Sequence, residues 1–163
     1  EMRISDWSSD VCSSDLTLPP YLEGAQTMLD VGSGGGQPGI PAAVCRPDLQ
    51  ITLLDANTKK TSFLQQAAIE LELKNVRVVS GRVEAVQGLR ADVITSRAFA
   101  ELADFVNWTT HLLQDGGCWA AMKGVYPAAE IDRLPDSVCV ERVDKIRVPQ
   151  LNAERHMVIL RKK

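Results

Sequence analysis

No two of the four cysteines in this 163-residue chain form a C-x-x-C pair: Cys12, Cys45, Cys118 and Cys139 are scattered. That spacing excludes a zinc knuckle and a redox dithiol. No metal is expected, and the thiols read as small core residues in a reducing compartment. No apolar run reaches the roughly 18 residues needed to span a bilayer, and the N-terminus lacks a basic-then-apolar signal layout. A cytoplasmic location is therefore expected. A dominant charge of one sign is missing too. The formal net charge is −3, but residues 1–16 hold Glu1, Asp6, Asp10 and Asp15 against Arg3, which leaves 17 acids and 17 bases in residues 17–163. A balanced domain has no global field to collect nucleic acid, so any RNA site must be a local patch. Residues 142–163 carry seven Lys and Arg against two acids, which fits either such a patch or a solvated hairpin with a basic tail.

Residues 1–16, EMRISDWSSDVCSSDL, show no sustained apolar period and repeat Ser-Ser-Asp five residues apart. They read as a disordered, non-native leader, the translation of an adapter or a fusion scar, and are set aside from the fold. A natural disordered leader is the alternative. One domain is expected over residues 17–163, long enough to bury a core without disulfides or metal.

From Thr27 onward, short apolar runs alternate with helical stretches, the pattern of a parallel sheet covered on both faces. The runs predict strands at Thr27–Val31, Gln50–Asp55, Val76–Ser80, Asp92–Ser96 and Cys118–Met122. A helix over Thr58–Leu73 would bury Phe63, Ala67 and Leu71, and one over Glu101–Leu113 would bury Leu102, Phe105, Thr109 and Leu112. The last 25 residues hold two β-rich runs joined by Pro149–Glu154, as in an antiparallel hairpin. The expected fold class is α/β: a Rossmann-like, doubly wound, mostly parallel sheet ending in a C-terminal antiparallel hairpin, as in class I methyltransferases.

The stretch TMLDVGSGGGQPGIP carries the chemistry. A strand ends at Val31, Gly32, Gly34 and Gly36 follow on alternate positions, and Pro38 can begin a helix. Glycines at a strand-to-helix turn admit positive φ and close approach of a ligand, so a nucleoside is expected there. Gly34–Gly39 formally satisfies the dinucleotide pattern G-x-G-x-x-G, which keeps an NAD-binding oxidoreductase open. The register counts against it: counting from the strand's first glycine, Gly32, the sixth position is Gln37. Asp30, two residues before that glycine, is misplaced for a pyrophosphate but suited to the ammonium of S-adenosylmethionine, directly or through water. Asp55, at the tip of the second strand, can accept both ribose hydroxyls, or it can be a surface acid opening the next helix.

At this point the chain, from about Leu18 to its C-terminus, resembles the bacterial ribosomal RNA small subunit methyltransferase G family, also called glucose-inhibited division protein B. The resemblance rests on PYLEG, LDVGSGGGQPGIP, LLDANTKKTSFL, GRVE, SRAFA, the strand ending in MKG, and VPQLNAERHMVI, in that order. It implies transfer of a methyl group from S-adenosylmethionine to N7 of one guanine in small-subunit (16S) ribosomal RNA, free or in an assembling subunit, by a protein expected to be a monomer. It places the cofactor at Gly32 and Gln37, at Val83 and Glu84, and at Arg97. Lys123, Arg155 and His156 lie in other family-like stretches and are candidates for RNA contact or orientation; His156 also reads as a structural histidine. The resemblance further implies a preceding helical segment of several dozen residues, so this chain is expected to be N-terminally truncated. A truncated cofactor-binding domain without activity is the non-enzyme alternative.

Few catalytic groups are needed for such a reaction. Guanine N7 offers a lone pair and a sulfonium methyl is already activated, so placement outweighs proton removal and no catalytic base is assigned. The chain reads Thr95-Ser96-Arg97-Ala98-Phe99 where amine methylases carry an Asn-Pro-Pro-Tyr-like motif, and it has no Pro-Cys step for attack on a pyrimidine. Phe99, beside the expected transfer site, could stack on a flipped guanine or serve as a core residue.

Overall fold

The computed structural model describes residues 17–97, 99–147 and 152–163. The expectations for residues 1–16, and for much of the link joining the last two runs, lie outside the described residues. After a short 3-10 turn at Pro19–Leu22 come β1 (Thr27–Val31), α1 (Gly39–Cys45), β2 (Gln50–Asp55), α2 (Thr58–Glu70) and β3 (Val76–Ser80). A 3-10 turn at Val83–Ala85 leads to β4 (Ala91–Arg97), α3 (Leu102–Thr109), β5 (Leu113–Lys123), α4 (Ala128–Asp132), β6 (Val138–Ile146) and β7 (Arg155–Lys162).

The strands form one sheet in the order β3-β2-β1-β4-β5-β7-β6. The first five are parallel, and β7 inserts antiparallel between β5 and β6. Period-two alternation splits the core into two layers. Met28, Val93, Cys118 and Ala120 face α1 and α2, where Ile40, Leu64 and Ala67 meet them. Leu29, Val31, Ile94 and Trp119 face the opposite way, toward Leu102 and Phe105 of α3. The doubly wound sheet with its hairpin is thus as expected, and three predicted strands end where the sequence places them.

Two elements differ. Helix α2 stops at Glu70 and buries Thr61, Leu64 and Ala67, whereas Leu71 is 38% exposed. Its end is a Schellman closure: the N–H groups of Glu72 and Leu73 donate to Ile69 and Ala68 carbonyls, with Glu72 at φ +53° where glycine is usual. Strand β5 begins at Leu113, not Cys118, because Gly116 and Gly117 sit in a bulged register rather than a turn. The stripe Leu102, Phe105, Thr109 and Leu112 is fully buried, as expected, although the last turn is 3-10.

The N-terminal turn is tied to the hairpin by Tyr21, whose hydroxyl donates to Asp144 Oδ2 at 2.9 Å while Arg142 lies 5.1 Å above the ring. Burial first, then the bond to Asp144, pushes the phenol from 10.0 up to about 12. Above pH 10 the unfolded chain loses this proton before the folded one does. The stabilisation is therefore complete below pH 10 and lost as the pH rises to about 12. Tyr21→Phe is expected to cost about 1 kcal/mol at neutral pH. Denaturant titrations should show the wild-type chain losing its advantage over the variant in that alkaline window.

Candidate functional site

Strands β1, β2 and β3 progress to one side of the sheet and β4 and β5 to the other, so the topology reverses between β1 and β4. In open α/β sheets ligands bind at the carboxyl ends of the strands beside such a reversal. Gly32, Asp55, Arg97 and Lys123 all lie at that edge, at or just after the ends of β1, β2, β4 and β5. A cleft of about 440 Å³ opens there, within the range of roughly 300–1,000 Å³ typical of small-molecule sites. Its walls are Val31 and Gly32, then Leu54 to Ala56, Lys60, Gly81 to Glu84, Arg97, Phe99 and Trp108.

The glycine loop spends its backbone donors internally. Gly32 and Ser33 N–H groups donate to the Leu54 carbonyl at 2.8 and 3.1 Å, Gly34 N–H to Asp55 Oδ2 at 2.9 Å, and Gly36 N–H to the Ser33 carbonyl at 2.7 Å. At the start of α1, Gly39 N–H donates to Asp30 Oδ2 at 3.0 Å. A pyrophosphate needs those donors for itself, and an acid already sits at the helix end it would occupy. The geometry therefore disfavours a dinucleotide and suits a ligand that carries no phosphate.

Three glycines are held by contacts, two of them by φ as well. A Cβ on Gly32, at φ +70°, would lie 2.7 Å from Phe99 Cδ2; on Gly36, at +93°, it would meet Ile40 and Leu64. A Cβ on Gly39 would run into Leu53 and Asp30. Asp55 spans the loop and the next helix, because its Oδ1 also accepts from Asn57 N–H at 2.8 Å, and Asn57 in turn caps α2. Gln37 meets Arg97 across the two chain crossings, with Arg97 Nη1 2.9 Å from Gln37 Oε1. Val83 is buried and Glu84 exposed on the 3-10 turn after β3, one apolar and one polar wall side by side.

The model of the family described as rRNA small subunit methyltransferase G matches residues 10–158. The chain is 81% identical over 148 residues to "Ribosomal RNA small subunit methyltransferase G" of Neisseria meningitidis serogroup C, covering 91% of this chain and 72% of that one. The chain belongs to the rRNA small subunit methyltransferase G family. A second relative of the same name, from Laribacter hongkongensis, is 59% identical over 94% of this chain and 73% of its own length. Among solved structures, TrmN from Thermus thermophilus superposes with a TM-score of 0.75 at 18% identity, over 91% of this chain and 48% of that one. The putative methyltransferase yhhF from Escherichia coli superposes at 0.71 and 17%, over 99% and 91%. These likenesses establish the class I methyltransferase fold. No helix among the described residues is long and apolar enough to cross a membrane.

In this family member the sequence-predicted cofactor residues fall into three groups. Gly32, Asp55, Val83, Glu84 and Arg97 line the cleft. Gly34 and Gln37 stand behind it, bonded to Asp55 and Arg97 respectively. Asp30 is fully buried, since the alternation of β1 turns it under the loop toward α1. Its place here is below the cleft rather than on its wall.

The substrate candidates divide too. Phe99 lines the cleft, half-buried, edge-on to Trp108 with ring centroids 5.9 Å apart. Lys123 Nζ donates to the Ala100 carbonyl and pairs with Glu130. His156 is buried, its Nδ1 2.7 Å from the Gly124 carbonyl and its ring edge-on to Tyr126. Those are the contacts of a structural histidine. Arg155 is half-buried and reaches the Glu154 carbonyl. Sequence reasoning missed Lys60, Arg82 and Trp108 in the cleft wall. Helical spacing could have flagged Trp108, which lies three residues after Phe105 on the adjoining face. Cys118 is excluded as a nucleophile: it packs in the core, and burial pushes its thiol up.

Proposed function

We propose that this chain transfers a methyl group from S-adenosylmethionine to N7 of a guanine in small-subunit ribosomal RNA, as a cytoplasmic monomer. The observation that carries the cofactor assignment is the glycine loop in which the N–H groups of Gly32, Ser33, Gly34 and Gly36 are engaged within the protein, beside an acid, Asp55, at the tip of β2. The donor set fits the group. Asp55 would accept the ribose hydroxyls, and Val83 with Glu84 would take the adenine face and edge. Gln37 and Arg97 would orient the amino-acid end, with Gly32 leaving the space a side chain would fill.

When bound, the cofactor supplies an electrophilic methyl, which bonds to the N7 lone pair as the sulfonium regains neutrality. No proton needs to leave N7, so the protein's task is alignment and exclusion of water. Phe99 and Trp108 form an aromatic wall at the β4 end of the cleft, a surface on which a flipped base can stack. The cofactor-binding domain without activity remains the rival, and one measurement separates them. Labelled methyl should enter small-subunit RNA from cells lacking the modification and appear as N7-methylguanosine after digestion. A methyl on another atom, or binding heat with NAD and none with S-adenosylhomocysteine, overturns the proposal.

Arg155 is the residue proposed for phosphate contact. Arg155→Ala should weaken RNA binding and reduce the slope of log affinity against log salt by about 0.7–0.9, the value for one phosphate contact. Filter binding across a salt series checks this, with cofactor affinity unchanged as the control.

A further inference from the structure

Phe99 reaches its position on a short link between β4 and α3, and three consecutive residues, the last two of that link and the first of α3, are held from one side. Lys123, the last residue of β5, donates through Nζ to the Ala100 carbonyl at 2.7 Å. The same Nζ lies 2.8 Å from Glu130 Oε2, in α4. That one carboxylate oxygen also accepts the N–H of Leu102, the first residue of α3, at 2.9 Å. Between them, Glu101 pairs with Arg133 at 3.0 Å. The Lys123 and Glu130 side chains are only 15% and 24% exposed.

We infer that Lys123 and Glu130 form a single positioning unit that fixes the Phe99 link for methyl transfer, and that Lys123 does not bind RNA phosphate. The inference rests on reading the chain as an RNA methyltransferase. An ammonium has three donors, and here one goes to a carbonyl and one to a carboxylate inside a mostly covered pair. Surface pairs contribute little, but this pair is shielded and shares its acceptor with a helix N-terminus, so losing either partner strands the other. The consequence lies at the cleft, because a displaced link carries Phe99 away from Gly32. Misplacement by about 1 Å at a reacting centre can cost on the order of 100-fold in rate. Glu130 joins the site this way although it touches no wall of the cleft.

The test uses the full chain with Lys123→Met, Glu130→Gln and the double variant. Each single change should lower kcat at saturating RNA about 10- to 100-fold. The double should be no slower than the worse single, since both remove one interaction. The salt slope of RNA binding should not change in any of them. A slope reduced by about 0.7–0.9 in Lys123→Met, with kcat intact, makes Lys123 a phosphate contact and overturns the inference. Additive losses in the double overturn the single-unit claim. Hydrogen exchange supplies a readout independent of activity: Glu130→Ala should speed exchange of the Leu102 amide at least about 10-fold, without change in β1 or β2. Unchanged exchange at Leu102 overturns the inference even if the wild-type chain transfers no methyl, an outcome that by itself would count only against the methyltransferase reading.

Discussion

Gly32→Val is expected to lower the affinity for S-adenosylhomocysteine at least about 100-fold, a loss of about 2.8 kcal/mol. Two independent effects add. At φ +70° the residue sits in the left-handed region, where an L side chain costs about 1–2 kcal/mol and a β-branched one is an outlier. The new Cβ would also lie 2.7 Å from Phe99 Cδ2, so the ring must move away from the wall it forms. Gly32→Ala should fall between wild type and valine. Adding Phe99→Leu to the alanine variant relieves the contact but leaves the backbone strain, so the share of affinity it recovers separates the two causes. Calorimetry reads the affinity and circular dichroism confirms that the sheet is retained. Unchanged affinity in the valine variant would remove this loop from the site.

The legibility of this fold follows the range of the interactions involved. Strands β1, β2 and β3 were readable to the residue because each is a short run rich in β-branched and apolar residues bounded by turn residues, and that local pattern holds even for β3 at the sheet edge, where no residue is fully buried. Where a boundary depends on a distant partner, the reading slipped. Gly116 and Gly117 look like a turn, yet β4 draws them into β5: a Cβ on Gly117 would lie 2.6 Å from the Asp92 carbonyl. Leu71 looks like the next rung of a stripe, but the left-handed Glu72 ends the helix before it. On the cleft wall, Gly32 and Asp55 were legible from the strand tips that present them, whereas Val83, Glu84 and Arg97 were expected only from the family resemblance. Glu130 was not. Its partners are seven and 28 positions away, and it lies in a five-residue helix with no apolar period to announce it. Asp30 was legible as an unusual acid, though only the alternation of β1 in three dimensions says which way it faces.

Asp55→Ala is the second large effect, and it should strike binding and folding together. One carboxylate holds the glycine loop through Gly34 N–H and the start of α2 through Asn57 N–H, at 2.9 and 2.8 Å. Hydrogen bonds to a charged group contribute about 1.5–3 kcal/mol each, so alanine should destabilise the domain by roughly 3 kcal/mol, enough to lower Tm by several degrees. Affinity for S-adenosylhomocysteine should drop at least about 100-fold, because the proposed ribose acceptor and the anchor of the loop vanish in one step. Asp55→Asn separates these roles. Its amide oxygen can accept from one backbone N–H but not both, and its NH2 group cannot accept from a ribose hydroxyl. The asparagine variant should therefore recover part of the thermal stability while its affinity stays low. Affinity restored in step with Tm would mean that Asp55 only braces the loop, and the ribose site would then have to be sought elsewhere on the cleft wall.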